Sequence, residues 1–205
     1  MKYILILAPL TLSLTIFAND KKQIIQSALA KLKASGIEQS AVNKGVMSPS
    51  VTINGKKLSD LYKEKPVILK FYRGSWCPYC QKELVAYNKF AKEIAAKGYH
   101  LIFLTPDTKK EIKKFVMKND IEFEIYQDVN NTIAKKFGLA FKLEADLLKV
   151  YKEFGIDLEK AQDNKLNELP LPGTYIIQKD GKINFAYIDA DYKKRIYPKE
   201  LLKEL

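Results

Sequence analysis

The chain has 205 residues, of which 47% are hydrophobic and 29% are charged. These proportions fit one soluble globular domain with at most a small appendage, and they exclude long disorder, collagen-like repeats and a disulfide-dense scaffold. Two cysteines and one histidine cannot form a Cys₄, Cys₃His or Cys₂His₂ zinc site, so we expect neither a metal nor another cofactor.

The net charge is +11, a feature of proteins that bind nucleic acids or anionic membranes. Nearly all of the excess is lysine, spread along the whole chain, and the only arginines are Arg73 and Arg195. Nucleic-acid-binding surfaces usually concentrate arginine and aromatic residues on one face. The distribution therefore favours a solvated, lysine-rich surface and no nucleic-acid partner.

Residues 1–18 have the pattern of a secretory signal peptide. Lys2 supplies the positive start, an apolar stretch follows, and Ala18 is small enough to precede the cleavage site. An uncleaved membrane anchor is the alternative, but the stretch is short for a span of about 20 residues and Pro9 interrupts it. We therefore expect an exported, periplasmic protein with no stable membrane insertion after cleavage, in a compartment that permits disulfides.

The remaining chain divides into an N-terminal helical extension, residues 19–45, and one domain over residues 46–205. Apolar residues recur at helical spacing between positions 21 and 34 of the extension. The domain begins with a short hairpin that turns at Asn54-Gly55, followed by a buried strand, V-I-L-K-F-Y, that starts at Val67.

Helices and strands then alternate along the domain. The pattern predicts a helix over 81–97, a strand over 100–104, a helix over 109–119, a strand over 121–126, a helix over 129–137, a charged helical insertion over 140–168, an antiparallel hairpin over 174–188 and a final short helix over 198–205. This alternation predicts an α/β fold whose sheet has a parallel core and helices on both faces.

The motif Trp76-Cys77-Pro78-Tyr79-Cys80 lies between the first buried strand and the helix that follows it, which is where a redox dithiol is expected. Cys77 stands at the helix start, where free backbone N–H groups and the helix dipole favour a thiolate, and Pro78 suits the first helical position. Cys80, one turn later, is expected to be less exposed and to resolve a mixed disulfide. Arg73 would add positive potential.

Two structural explanations of the cysteine pair are possible. A disulfide that closes so small a loop removes little entropy from the unfolded chain, so it would stabilise the fold poorly. Half of a metal site would need carboxylates or His100, which lies on a predicted strand. We therefore interpret the pair as redox-active.

Three segments resemble the peroxiredoxin-like branch of the AhpC/TSA family, in the thioredoxin superfamily: F-Y-R-G-S-W-C-P-Y-C-Q-K-E-L at 71–84, A-K-K-F-G-L at 134–139, and 169–198, which begins L-P-L-P-G-T-Y-I-I. The resemblance implies a thioredoxin-like fold: a central mixed sheet flanked by helices, with an N-terminal extension and an inserted helical segment. It also implies that Pro172 is a cis-proline facing the cysteines. The backbone of Leu171 and Gly173 would then form a docking edge for a substrate peptide.

The chain departs from the family pattern at the peroxide site. Typical peroxiredoxins carry P-x-x-x-T-x-x-C and a later arginine, and that threonine and arginine hold the peroxide. With the peroxidatic cysteine aligned on Cys80, Cys77 replaces the threonine, Arg73 replaces the proline, and the segment before Thr174 lacks the arginine. The usual peroxide-binding set is therefore expected to be absent, although Arg73 could replace part of it.

The thioredoxin pattern is also incomplete, because Phe71 stands where thioredoxins carry a buried aspartate. Glu83, three residues after Cys80, is then the nearest candidate proton carrier, and the alternative is a solvated glutamate favoured by the helix dipole. The tetrapeptide that contains Tyr79 resembles that of glutaredoxins, whereas Trp76 and the chain length do not.

From these residues we hypothesise an exported thiol–disulfide oxidoreductase in which Cys77 attacks and Cys80 resolves, with a protein disulfide as substrate and a thiol as electron donor. One alternative is a thiol peroxidase with antioxidant function, which reduces hydrogen peroxide or organic hydroperoxides through a sulfenic acid. Another is a non-catalytic thioredoxin-like binding module. The supporting residues in the leading hypothesis are Arg73, Trp76, Pro78, Tyr79, Glu83 and Pro172.

Overall fold

The computed structural model describes residues 10–205, with side chains described from residue 19 onward. Residues 1–9, and with them half of the predicted signal peptide, lie outside the described residues. Across the described range, no helix combines the length and the apolar character needed to cross a bilayer.

Helices and strands follow one another as the alternating pattern predicts. The helices are α1 (Leu10–Ala34), α2 (Ile37–Ser40), α3 (Leu58–Glu64), α4 (Pro78–Asn88), α5 (Ala91–Ala96), α6 (Lys109–Asn119), α7 (Thr132–Lys136), α8 (Ala145–Glu153), α9 (Leu158–Gln162) and α10 (Pro198–Leu201). The strands are β1 (Thr52–Ile53), β2 (Lys56–Lys57), β3 (Val67–Phe71), β4 (His100–Thr105), β5 (Glu124–Gln127), β6 (Ala140–Lys142), β7 (Glu168–Pro170), β8 (Gly173–Ile177) and β9 (Ile183–Ile188).

The central sheet has five strands in the order β5-β4-β3-β8-β9. The pairs β3/β4 and β4/β5 are parallel, whereas β3/β8 and β8/β9 are antiparallel. Leu69, in the middle of β3, pairs with Ile102 on one side and with Tyr175 on the other. This confirms the predicted mixed sheet with a parallel core and the antiparallel hairpin at its end.

Strand β3 is buried along its whole length, because helices cover both faces of the sheet. Its side chains alternate between two apolar clusters, as the pleat requires. Leu69 belongs to the cluster on one face, and Ile68 belongs to the cluster on the other face together with Cys77, Cys80 and Leu84. The face of the sheet under α4 is therefore the one that carries the cysteines.

The boundaries of two predicted segments differ from expectation. The single helix expected over 81–97 is two helices, α4 and α5, because the backbone leaves the helical region at Phe90, where φ is −113° and ψ is 1°. The insertion contains helices α8 and α9 as predicted, and it is closed by β6 and β7, which pair antiparallel. These two strands have three residues each, too few to show a period of two in the sequence.

The predicted N-terminal helix is part of α1, which packs on the insertion. Ile24, Ile25 and Ala28 contact an apolar cluster that includes Leu147 and Tyr151 of α8. Lys31 adds an exposed ion pair with Glu144, with 2.9 Å between Nζ and Oε2. The extension therefore covers the side of the domain from which Tyr151 reaches the site described next.

Candidate active site

The cysteine motif lies where strand β3 gives way to helix α4. Cys77 is the residue just before the helix, with φ −83° and ψ 118°, and Pro78 is its first helical residue. Proline suits this position because its φ is already helical and its missing N–H has no partner to lose. The structure thus places both residues as the motif predicts, and Cys80 follows in the first turn.

The loop before Cys77 is fixed by backbone hydrogen bonds and by close packing. The Cys77 N–H donates to the Gly74 carbonyl at 3.1 Å, and the Ser75 N–H donates to Asp107 Oδ2 at 2.5 Å. A Cβ atom at Gly74 would lie 2.1 Å from Nε1 of Trp76. Glycine is therefore required there for the Trp76 indole to pack against the loop.

Both cysteines are free thiols and both are buried: 1% of Cys77 and 0% of Cys80 is exposed. Cys77 is the more exposed of the two, as expected, but the difference is only 1% of the residue's surface. The reason is packing, since both sulfurs lie in the apolar cluster between the sheet and α4, beside Tyr72 and Leu84.

The two thiols nevertheless differ strongly in acidity. A hydrogen bond from Cys80 and the nearby Arg73 guanidinium outweigh burial and lower the pKa of Cys77 to about 6. Burial and the same hydrogen bond to Cys77 raise the pKa of Cys80 well above its ordinary value. The pair is thus arranged as a thiolate at the helix start and a protonated thiol one turn later.

Arg73 lies close to the cysteines, as the sequence predicts, and is buried. Its Nη2 donates to the Tyr151 hydroxyl, and its guanidinium carbon lies 4.1 Å from the centroid of the Tyr192 ring. Its Nε is buried and has no hydrogen-bond partner within the part of the chain that the structure describes. Because these contacts are with neutral groups, the positive charge of Arg73 remains available to a thiolate.

Aromatic rings border the motif. The half-buried Trp76 ring lies 5.7 Å from the Tyr151 ring. The Tyr79 ring is exposed and lies 5.7 Å from the Tyr192 ring. Tyr192 therefore connects Tyr79 with the Arg73 guanidinium.

Pro172 lies next to this site but is not a cis-proline. It lines a cavity of about 270 Å³ together with Arg73 and Tyr192. No cis peptide bond occurs among residues 10–205, so the expectation of a cis bond is wrong for this structure. The Leu171 N–H donates to the Leu139 carbonyl at 2.8 Å, which keeps the chain extended from β7 into β8, and a trans bond suits that path.

Glu83 is buried beneath the cysteines and is not a solvated glutamate. Its Oε1 lies 2.9 Å from Nζ of Lys70, and its Oε2 lies 3.2 Å from Nη1 of Arg195. Two cations in a buried site hold this carboxylate in place. Its role as a proton carrier remains a prediction.

Arg195 corrects the expectation that no distant arginine serves the cysteines. It follows β9, 115 residues after Cys80 in sequence, and its Nη2 donates to Cys80 Sγ at 3.4 Å. The side chain is buried. The contact of Arg195 with Cys80 could not be inferred from local spacing in the sequence. The amino-acid composition offered one indication, because the sequence has only two arginines, Arg73 and Arg195, and both lie beside the cysteine pair.

Lys70 and Asp107 are two further buried charged residues that sequence reasoning missed. Lys70 stands inside an apolar strand pattern, and Asp107 follows β4. Burial raises the pKa of Asp107 to about 6 even though its carboxylate accepts a backbone hydrogen bond from Ser75. Among residues 19–205, no three His, Cys, Asp or Glu side chains converge in a way that could hold a metal ion.

The model of the AhpC/TSA family matches residues 37–186. The chain belongs to the AhpC/TSA family. This confirms the resemblance carried by the three sequence segments, and it assigns to the family most of the domain, the cysteine motif included.

Relatives of two kinds are similar to this chain. Chloroplastic peroxiredoxin Q of Populus jackii is 29% identical over 150 residues, 71% of this chain and 60% of the relative. The thiol-disulfide oxidoreductase ResA of Bacillus thuringiensis subsp. konkukian is 30% identical over 134 residues, 64% of this chain and 60% of the relative. The chain thus spans about 60% of the length of these curated relatives.

Solved structures of the family support the fold. The peroxidoxin BcpB of Mycobacterium tuberculosis superimposes with a TM-score of 0.60 at 19% identity, covering 80% of this chain and 94% of that protein. A variant of peroxiredoxin Q from Xanthomonas campestris gives a TM-score of 0.55 at 14% identity, covering 80% of this chain and 93% of that protein. The predicted thioredoxin-like α/β fold is confirmed.

Proposed function

We propose that this protein is a dithiol oxidoreductase that exchanges disulfides with protein substrates through Cys77 and Cys80. The observation that carries the proposal is the asymmetric thiol pair at the start of α4, with a pKa of about 6 at Cys77 and a raised pKa at Cys80. This asymmetry gives one nucleophile and one protonated partner in contact with it. The ResA relatives are named for thiol–disulfide exchange, which supports this reaction class.

In the proposed reaction the Cys77 thiolate attacks one sulfur of a substrate disulfide. A Cys77–substrate bond forms, the substrate S–S bond breaks, and the first substrate sulfur leaves as a thiolate. Cys80 then loses its proton and attacks Cys77 Sγ, which forms the Cys77–Cys80 disulfide and releases the second substrate thiolate. A thiol donor reverses these steps and restores the dithiol.

A thiol peroxidase is the second candidate, and the two guanidinium groups favour it. Arg73 and Arg195 lie beside the cysteines, and among residues 19–205 neither Nε, both of which are buried, has a hydrogen-bond partner, so both have a donor left for a peroxide oxygen. The near-complete burial of Cys77 also suits a small oxidant. Against this, Cys77 stands where the threonine donor of typical peroxiredoxins would be, and the loss of one well-placed donor costs roughly a hundredfold in rate.

We expect disulfide exchange to be faster than peroxide reduction. Trp76 is the only tryptophan and precedes Cys77, so stopped-flow fluorescence can follow oxidation of the reduced protein. Hydrogen peroxide and cumene hydroperoxide are expected to react about as slowly as with an ordinary free thiol, and an oxidised protein substrate at least about tenfold faster. The Cys77→Ser variant is the control for signals unrelated to the dithiol.

Peroxide oxidation much faster than that of a free thiol would overturn this ranking in favour of the peroxidase. In that case Arg73→Met and Arg195→Met would identify which guanidinium supplies the missing donors, since the variant that removes the active donor would slow peroxide oxidation much more than it slows exchange.

We also propose that the protein is exported to the periplasm and that residues 1–18 are removed. The charged start and the apolar stretch of the sequence support this. An oxidising compartment would give the Cys77–Cys80 pair disulfide substrates to act on. N-terminal sequencing of protein from an exported fraction is expected to begin near Asn19, and an intact Met1 in soluble cytosolic protein would contradict the proposal.

A further inference from the structure

Lys70 is a buried lysine in the middle of the central strand, and the proposed reaction leaves it without a role. Only 1% of the residue is exposed, and it stands on the face of the sheet that packs against α4. A buried ammonium is costly unless each of its N–H groups finds a partner. Its contacts therefore indicate why the fold retains a charge at this position.

The ammonium group has three hydrogen-bonding neighbours for its three N–H donors. Nζ lies 2.6 Å from Thr174 Oγ1, 2.9 Å from Glu83 Oε1 and 3.2 Å from the Tyr87 hydroxyl. The Tyr87 hydroxyl uses its own proton toward the Ile196 carbonyl at 2.9 Å, so it accepts from Lys70. Burial lowers the pKa of Lys70 and the Glu83 carboxylate raises it, and three acceptors around Nζ fit a protonated lysine.

Lys70, Glu83 and Arg195 form a chain of charges that ends at the resolving cysteine. Lys70 pairs with one oxygen of Glu83, the other oxygen faces Arg195, and Arg195 donates to Cys80 Sγ. Two cations and one carboxylate leave one positive charge in excess within this buried cluster. A buried unbalanced charge stabilises an anion beside it, and the ionisable group that Arg195 contacts directly is Cys80.

We propose that Lys70 is a positioning residue for the chemistry of Cys80: it neutralises Glu83, so that the charge of Arg195 remains available to the Cys80 sulfur. The proposal rests on the proposed dithiol function and adds a role for a residue that does not touch either sulfur. Without Lys70, the carboxylate of Glu83 would balance Arg195, and the cluster would carry no net charge.

The step that this charge assists is the one in which Cys80 is a thiolate. When a donor thiolate attacks Cys77 Sγ of the oxidised protein, a new S–S bond forms, the Cys77–Cys80 bond breaks, and its electron pair leaves on Cys80 Sγ. In the opposite direction the Cys80 thiolate attacks Cys77 Sγ. Stabilising this thiolate therefore accelerates its departure and raises the fraction of Cys80 ready to resolve.

The charged and titratable groups that act on Cys80 come from several elements. Cys77, which belongs to the same motif, raises the pKa of Cys80, whereas Arg195, after β9, and Arg73, after β3, lower the pKa of Cys80. Lys70 and Glu83 act through Arg195. An effect of Lys70 on Cys80 must therefore be measured with Cys77 removed, so that the coupled titration of the two thiols does not obscure it.

The test uses Lys70→Met, Glu83→Gln and the double variant, each in the Cys77→Ser background, with the Cys80 thiolate titrated by absorbance at about 240 nm. The same three substitutions in the two-cysteine protein give the rate at which dithiothreitol reduces the disulfide. Lys82→Met, an exposed neighbour of Glu83 on α4, is the matched control for loss of one lysine. Thermal unfolding shows that each variant is folded.

The expected signs are opposite for the two single variants. Lys70→Met moves the Cys80 titration to higher pH and slows reduction of the disulfide about fivefold. Glu83→Gln moves the Cys80 titration to lower pH. The double variant returns both readouts to within about twofold of the parent protein. Lys82→Met leaves both unchanged. If Lys70→Met fails to fold, Glu83→Gln still tests the proposal, because an increase in the net positive charge must move the Cys80 titration to lower pH.

Shifts of the same sign in Lys70→Met and Glu83→Gln, or a double variant worse than either single variant, would overturn the proposal and assign the cluster a packing role. The titration uses the Cys77→Ser background, which lacks one of the two thiols and therefore cannot catalyse disulfide exchange. A failure of the proposed disulfide exchange would therefore leave this result unaffected, and the two failures can be told apart.

Discussion

Replacing Cys77 with serine is expected to lower the rate of disulfide exchange roughly a thousandfold or more, since it removes the nucleophile. A serine hydroxyl is not ionised near neutral pH, so neither the helix start nor Arg73 can convert it into an anion. The measurement is the initial rate at which the reduced variant opens a disulfide in an oxidised protein substrate.

Cys80→Ser is the matched control for this loss, because it removes the other thiol of the same motif. It is expected to retain the first attack and to lose turnover, since no second thiol remains to release the substrate. Equal loss of the first attack in both variants would contradict separate roles for the two cysteines and would favour a structural role for the pair.

Labelling of the reduced protein by iodoacetamide at pH 7 is expected to favour Cys77 over Cys80 by roughly a hundredfold. The cause is the thiolate fraction: the pKa of Cys77 is about 6, whereas that of Cys80 is raised by burial. A thiol with a lowered pKa loses its thiolate only as the pH falls through that value, so labelling of Cys77 is expected to decrease below about pH 6.

Arg73→Met tests the cause of this acidity. Removing the guanidinium is expected to move the pH at which labelling of Cys77 falls to a higher value, because the positive charge beside the thiolate is lost. An exposed substitution such as Lys82→Met should leave the labelling profile unchanged. Faster labelling of Cys80 than of Cys77 would reverse the assignment and favour the alignment in which Cys80 is the peroxidatic cysteine.

The fold could be predicted from the sequence where the chain carries strong local signals. Helix α6 has the predicted bounds, Lys109–Asn119, since its apolar residues recur at helical spacing. The hairpin of β8 and β9 follows from two apolar runs joined at Asp180-Gly181. The short strands β6 and β7 were missed because their pairing is a contact between residues about 30 apart in sequence, which no local pattern encodes.

In the candidate site, too, the contacts within one short segment could be predicted from the sequence, whereas the contacts between distant segments could not. The position of Cys77 before α4 and the proximity of Arg73 could be predicted from the local segment that runs from Arg73 to Cys80. The contact of Arg195 with Cys80 could not, because it depends on the path of the chain after β9. Lys70 was also missed, since one lysine in an apolar strand reveals neither its burial nor its pairing with Glu83.

The trans bond before Pro172 shows the limit of inference from resemblance. Pro172 lines a cavity with Arg73 and Tyr192, but the cis peptide bond that the family similarity implied does not occur among residues 10–205. Position follows from the alignment of whole strands, whereas the isomer of one bond depends on the local hydrogen bonds of this chain, such as that from Leu171 to Leu139.

The central claim is that Cys77 attacks a substrate disulfide and that Cys80 resolves the product. Its most direct measurement is to incubate the reduced Cys80→Ser variant with an oxidised protein substrate and to map the adduct by mass spectrometry. A stable mixed disulfide between Cys77 and the substrate, released by dithiothreitol and missing from the Cys77→Ser variant, is the predicted result. Absence of any adduct, while hydrogen peroxide rapidly converts the remaining thiol to a sulfenic acid, would contradict it and identify a peroxidase instead.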